Sequence, residues 1–196
     1  MGKLIVSENV SLDGVIQDPS GEEGFEHGGW FRQFGGADLP EWGKVELAEA
    51  QRADALLLGR RSDQWFADRW LSRSDEWANR LNSMPKYVVS ASLDKPKWTT
   101  SGDATVLRGD VAGEVTGLKQ STPGDIIVYA SGTLVHALLE HDLVDEVRLT
   151  VFPVILGDGG RLFGPSAGKM PLRLVSTRMI GENLAYLTYE RSGRAS

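Results

Sequence analysis

The sequence predicts an α/β protein: a three-layer, mostly parallel twisted sheet with antiparallel strands at its C-terminal edge. Three observations carry this. Short apolar runs alternate with amphipathic segments up to about residue 145, the pattern of parallel strands joined by helical crossovers. Consecutive strand patterns then follow without an intervening helix. The chain has 196 residues, 41% hydrophobic and 24% charged, which fits one domain. No solenoid repeat or composition break divides it, so we expect one domain over residues 1–191 and a short tail over 192–196.

Lys3–Val10 reads as a first, central strand, and Ser11-Leu12-Asp13-Gly14 as a tight turn. Val15–Trp42 lacks periodicity and holds six glycines (Gly21, Gly24, Gly28, Gly29, Gly35 and Gly36) and two prolines. It also holds Phe25, Trp30, Phe31, Phe34 and Trp42, too aromatic for a linker, and is expected to form a lid or pocket wall. Gly43–Arg52 has helical spacing with Val45, Leu47 and Ala48 near one face. Ala55–Leu58 is a buried strand that turns at Gly59 into a helix. Ser72–Glu76 starts another helix, through Trp77, Leu81 and Met84, that Pro85 ends. Lys86–Ser90 and Ala104–Leu107 are strands, and Asp110–Gln120 is a helix weakened by Gly113 and Gly117. Ile126–Tyr129 is a strand and Leu134, Ala137 and Leu138 mark the helix after Ser131-Gly132-Thr133. Glu146–Val154 alternates as a long strand, and Leu172–Met179 and Ala185–Glu190 form a hairpin about Gly181-Glu182-Asn183.

Composition excludes several functions. There are no cysteines, hence no disulfide, thiolate metal site or cysteine nucleophile, which suits a cytoplasmic protein. A net charge of −6 argues against nucleic acid as a partner. No apolar run approaches a membrane span, and the opening residues turn polar too early for a secretory signal. Glu22, Glu23, Glu26 and His27 lack a metal-ligand spacing and read as a solvated acidic loop, so no metal is expected. Ser90, Ser92 and Ser131 have no histidine partner or G-x-S-x-G setting for hydrolysis.

Ligands of open α/β sheets sit at the carboxyl ends of the strands. Gly59-Arg60-Arg61-Ser62, Ser90-Ala91-Ser92 and Ala130-Ser131-Gly132-Thr133 all fall there. Unpaired N–H groups at a helix start, a glycine and two guanidinium groups suit a phosphate. The plainer alternative is a strand–helix turn with solvated arginines. Neither G-x-G-x-x-G nor a P-loop is present.

Ser11-Leu12-Asp13-Gly14, Leu58-Gly59-Arg60-Arg61-Ser62 with Phe66, Lys86-Tyr87-Val88-Val89-Ser90 and the run from Ser131 through Leu143-Val144-Asp145-Glu146 occur in a telling order. Pro153-Val154-Ile155-Leu156-Gly157 and Leu162-Phe163 complete the series. Together they resemble the dihydrofolate reductase superfamily, above all the reductase domain at the C-terminus of RibD and its stand-alone relatives. The resemblance implies an NADPH-dependent reductase acting on a small heterocyclic or polar substrate. On it, Gly59, Arg60, Arg61 and Ser62 would hold cofactor phosphates, with Arg60 at the 2′-phosphate. Ser90 and Ser92 would lie along the adenosine, and Ser131, Gly132, Thr133 and Leu134 would meet the pyrophosphate or neighbouring ribose. Asp13 would bind substrate or assist protonation, although an Asx turn beside Gly14 also accounts for it. Trp30 and Trp65 are candidate substrate contacts. Dihydrofolate reductases carry a substrate-binding acid on their first helix, and Glu46 and Glu49 are the acids available on that helix here. Alternatives are the riboflavin-pathway 5-amino-6-(5-phosphoribosylamino)uracil reductase and a non-catalytic nucleotide-binding homodimer. The strand at 147–154 and the C-terminal hairpin are candidate dimer surfaces.

Overall fold

The structure is a computed structural model, and it describes residues 1–100, 104–164 and 168–192. The expected tail over 192–196 lies almost wholly outside the described residues. Eight strands form one sheet: β1 (Leu4–Ser11), β2 (Ala53–Gly59), β3 (Lys86–Val89), β4 (Ala104–Leu107), β5 (Asp125–Tyr129), β6 (Glu146–Phe152), β7 (Leu172–Ile180) and β8 (Leu184–Arg191). Their order is β4-β3-β2-β5-β1-β6-β8-β7. Pairings from β4 across to β6 are parallel, and those of β8 with β6 and β7 are antiparallel. The expected sheet and its antiparallel edge are both present.

Side chains alternate between two apolar layers because successive strand residues point to opposite faces. Leu4, Val6, Leu57, Ile126 and Val128 pack with Val115 and Leu118 of α5 (Val111–Ser121) and with Leu134, Val135 and Leu138 of α6 (Gly132–Glu140). On the other face Ile5, Leu56, Leu58, Ile127 and Tyr129 pack against α2 (Leu39–Arg52), α3 (Arg60–Trp70) and α4 (Glu76–Ser83). The helix α1 (Trp30–Gly35) belongs with a third cluster, in which Trp30 meets Phe152 edge to face at 5.3 Å.

The long loop expected over Val15–Trp42 is shorter than its composition implied. Residues from Trp30 onward are helical, and Pro40 lies in the first turn of α2. Proline there lacks an N–H that would be unpaired anyway, so it punctuates nothing. The remaining loop is organised by Asp18, which is buried and accepts the backbone N–H groups of Glu22 and Phe25. The inner face of α2 also differs from the apolar reading. Val45, Glu46, Glu49 and Ala50 are buried, whereas Leu47 is half-buried and Ala48 exposed. Glu49 faces inward because a guanidinium and a hydroxyl wait beneath it, a reason invisible to apolar periodicity, and Glu46 is buried one turn away.

Candidate active site

Helices after β1 and β2 lie on one face of the sheet, and those after β4 and β5 on the other. Since β1 and β5 are neighbours, a crevice opens between their carboxyl ends, where open α/β sheets hold ligands. The register shows the opening. β1 pairs with β5 only from Leu4↔Ile126 to Ser7↔Tyr129, but with β6 as far as Ser11↔Phe152. Beyond Ser7 one edge of β1 is therefore free of β5.

Around this crevice the structure brings the expected phosphate-binding residues together. Ser131 Oγ accepts the Gly59 N–H at 3.0 Å and lies 2.8 Å from Ser62 Oγ, joining the turn after β2 to the turn after β5. Arg60 donates to Ser92 Oγ at 3.1 Å, and Ser90 Oγ accepts the N–H groups of Ser92 and Leu93. Arg61 is exposed and pairs with Glu23, and Arg69 pairs with Glu22, so the Asp18 loop is tied across α3. Two of the acids read as solvated are thus engaged in ion pairs.

Several details differ from the sequence-based expectation. Gly59 has φ −82° and ψ 161°, extended backbone open to any residue. A Cβ would also have room, meeting nothing nearer than Ser131 at 3.8 Å, so neither backbone nor packing demands glycine here. Ser131 does not cap α6 with its side chain; it and Ala130 hold φ of 65° and 50°, leaving the first N–H groups of α6 available. Thr133 is exposed at that helix start. Gly132 has Ile16 packed where a Cβ would stand, at 2.6 Å. Leu134 is buried in the core and has only its backbone to offer. These residues fit a bound dinucleotide phosphate: free helix N–H groups, an exposed guanidinium, and a turn without a side chain in the way.

The expected substrate residues are rearranged. Trp30 is fully buried, donates its indole N–H to the Gln17 carbonyl and packs against Phe152, so it exposes no surface to a substrate. Trp65 is half-buried, with the Arg69 guanidinium 4.1 Å over its ring. Asp13 is committed elsewhere. It accepts from Ser11 Oγ at 2.7 Å and from the N–H groups of Leu156 and Gly157, and it pairs with Arg161. Burial acts to raise its pKa, but the hydrogen bonds from Ser11, Leu156 and Gly157 prevail and hold it at about 2. Asp13 has no proton to give at neutral pH. Its turn-forming role is the one that the geometry carries.

The acids lie deeper. Glu49, 4% exposed, accepts from Arg148 at 2.9 Å and from the Tyr186 hydroxyl at 3.0 Å. Arg148 also bonds Glu146 at 2.6 Å, and Glu146 continues through Lys3 to Glu190. Burial lowers the Arg148 pKa, but Glu49 and Glu146 outweigh it and the guanidinium stays charged. Glu46 is buried beside this network. Desolvation first, then the charges of Glu49 and Glu8, push its carboxyl well up, against the pull of Arg148. Tyr129, at the end of β5, is kept protonated by burial and by the nearby glutamates. Glu8 accepts the Asn9 N–H at 3.1 Å, and burial lifts its carboxyl to about 8 although that hydrogen bond pulls the other way. Glu8 went unnoticed in the sequence, where one glutamate in a strand carries no signal. A polar residue interrupting an apolar strand just before a turn was the only hint.

With this geometry in view the class is clear: a doubly wound α/β protein with an open crevice at its switch point. Residues 2–186 match the RibD C-terminal domain family, and the chain belongs to that family. It is 26% identical over 199 residues to "Uncharacterized protein YyaP" of Bacillus subtilis (strain 168), covering 97% of this chain and 96% of that one. A 65-residue stretch, 33% of the chain and 37% of the relative, is 35% identical to YwjB of the same organism. Among solved structures, a putative riboflavin biosynthesis protein from Shewanella sp. PV-4 superposes with TM-score 0.76 at 23% identity, covering 97% of this chain and 99% of that one. RibD of Acinetobacter baumannii gives TM-score 0.61 at 19% identity; the match covers 98% of this chain but 58% of that one. A dihydrofolate reductase from Enterococcus faecalis, complexed with NADP(H), gives 0.61 at 14% identity and 97% coverage of both chains. The fold is that of dihydrofolate reductase.

Proposed function

We propose that this protein is an NADPH-dependent reductase of a small nitrogen heterocycle. The observation that carries the reading is the line of strand ends β3, β2, β5 and β1. Three strand spacings place its ends about 14 Å apart, with phosphate-suited turns in the middle and buried acids at one end. A ligand stretched along this line would meet Arg60 and Ser92 first. The turns at Gly59 and Ser131 and the start of α6 come next, and the open edge of β1 last. When bound, the nicotinamide supplies hydride. The protein's own part is to hold the phosphates by N–H groups and a guanidinium, to align donor and acceptor, and to exclude water from the transfer. Family membership and the NADP(H) complex of the Enterococcus relative support this reading. A homodimer belongs to it too, through β7, an outermost strand that exposes Leu174, Val175 and Met179; sedimentation velocity tests that part.

Binding is measured by NADPH fluorescence, and turnover by NADPH oxidation with dihydrofolate, the phosphoribosylamino-pyrimidine of the riboflavin pathway and simpler cyclic imines. Arg60→Ala is expected to weaken NADPH at least tenfold while changing NADH less than threefold. Equal losses would remove Arg60 from the 2′-phosphate. Binding without oxidation of any acceptor would favour the non-catalytic reading.

A further inference from the structure

We propose that Glu8 is the proton donor of the reduction, passing the proton of its buried carboxyl to the acceptor's ring nitrogen as hydride arrives at the adjacent carbon. The proposal rests on the reductase reading above and adds the residue that completes its chemistry.

Position is the first argument. Ser7 is the last residue of β1 paired with β5, so Glu8 begins the open edge at the switch crevice. The Asn9 N–H, which β5 would otherwise have engaged, is capped by Glu8 Oε1. Local chemistry is the second. Glu8 as a residue is half-buried, yet its Oε2 is sealed from solvent and has no hydrogen-bond partner among the described residues. An unpartnered buried oxygen is costly as an anion, and as a hydroxyl it is a donor awaiting an acceptor. A buried polar atom left without a partner marks a place built for a polar ligand rather than for stability.

Burial keeps the Glu8 proton in place. Glu46 of α2 is a neighbour that feels a Glu8 charge, and Arg148 of β6, beside Glu46 and Glu49, offers Glu8 no ion pair. That cation is already shared by Glu49 and Glu146. With its carboxyl lifted to about 8 by burial, Glu8 holds a proton at neutral pH, which Asp13 does not. In the step itself the acceptor C=N π bond breaks. A C–H bond forms with the hydride pair from the reduced nicotinamide, and an N–H bond forms with the Glu8 proton. The nicotinamide leaves oxidised, and Glu8 is left as carboxylate until water returns a proton.

The test compares the full-length wild type with Glu8→Gln, Glu8→Asp and Glu46→Gln. Infrared titration reads the buried protonated carboxyl, fluorescence reads NADPH binding, and single-turnover oxidation reads reduction of the best acceptor in the panel. We expect a carboxyl band that vanishes with a midpoint near pH 8 in the wild type and is missing in Glu8→Gln. Glu8→Gln should keep NADPH affinity within about threefold but lose about 10²-fold or more in rate, the usual worth of a general acid. Glu8→Asp should restore part of that rate, and Glu46→Gln should lose less. A Glu8→Gln enzyme that binds NADPH and reduces as fast as wild type overturns the donor role and leaves the reductase reading standing. A wild type that binds no NADPH or reduces no acceptor overturns both, whatever the infrared band shows.

Discussion

Asp13 shows how a residue with a catalytic look can be fully spent on structure. Its carboxylate joins the turn after β1 to the loop after β6 through Leu156 and Gly157, and that loop returns to it through the Leu162 N–H on the Gly14 carbonyl. Asp13→Ala leaves those N–H groups without their acceptor and should cost about 1–3 kcal/mol in urea unfolding at pH 7. The sign of its pH dependence follows from the lowered pKa. The contribution is complete above the unfolded-state value near 4, and fades as pH falls toward about 2. The wild-type advantage over Asp13→Ala should therefore shrink in acid, and a constant difference down to pH 2 would contradict the role given to these hydrogen bonds.

At the scale of elements, the turn of the β7–β8 hairpin is tied to the start of α2 by one carboxylate. Asp38, just before α2, accepts the N–H groups of Glu182 and Asn183 and the Asn183 amide in the hairpin turn. Gly181 is required at this join. Its φ is 59°, and a Cβ would stand 2.1 Å from Asp38 Oδ1. Gly181→Ala should lose about 1–2 kcal/mol from the left-handed backbone alone, and more if Asp38 must withdraw. Thermal unfolding reads the loss, and a variant as stable as wild type would show that the turn is free to move away from α2. The hairpin itself was legible from alternation and from Gly181-Glu182-Asn183. The anchor was not, because Asp38 is 144 residues from the N–H it accepts.

For the molecule as a whole, the buried acids set the pH range of stability. Glu8 and Glu46 have carboxyl pKa values raised on folding. In that case the folded chain binds more protons than the unfolded one between the two values, so stability declines as pH climbs from about 4.5 through 8. The melting temperature should fall from pH 6 to pH 9, and Glu8→Gln should flatten this slope by removing the group that must ionise in place. A melting temperature that rises over that interval would show the crevice acids to be ionised already. The same burial links stability to the proposed function, since the desolvation that makes these acids costly at high pH also keeps their protons at neutral pH.

Sequence by itself determined what repeats along the chain. Alternation and apolar runs placed the eight strands and nearly all the helices, and glycine, serine and arginine at strand ends marked the turns that meet at the crevice. These are local signals, written in periods of two and 3.6 residues. Only the tertiary structure decided which polar residues are buried. Glu8, Glu46, Glu49, Tyr129 and Arg148 come from four elements, and Arg148 reaches Glu49 across 99 positions. Whether a glutamate keeps its proton depends on the neighbours the fold brings to it, and on where β1 parts from β5. Neither is recorded in the residue's own surroundings in the sequence.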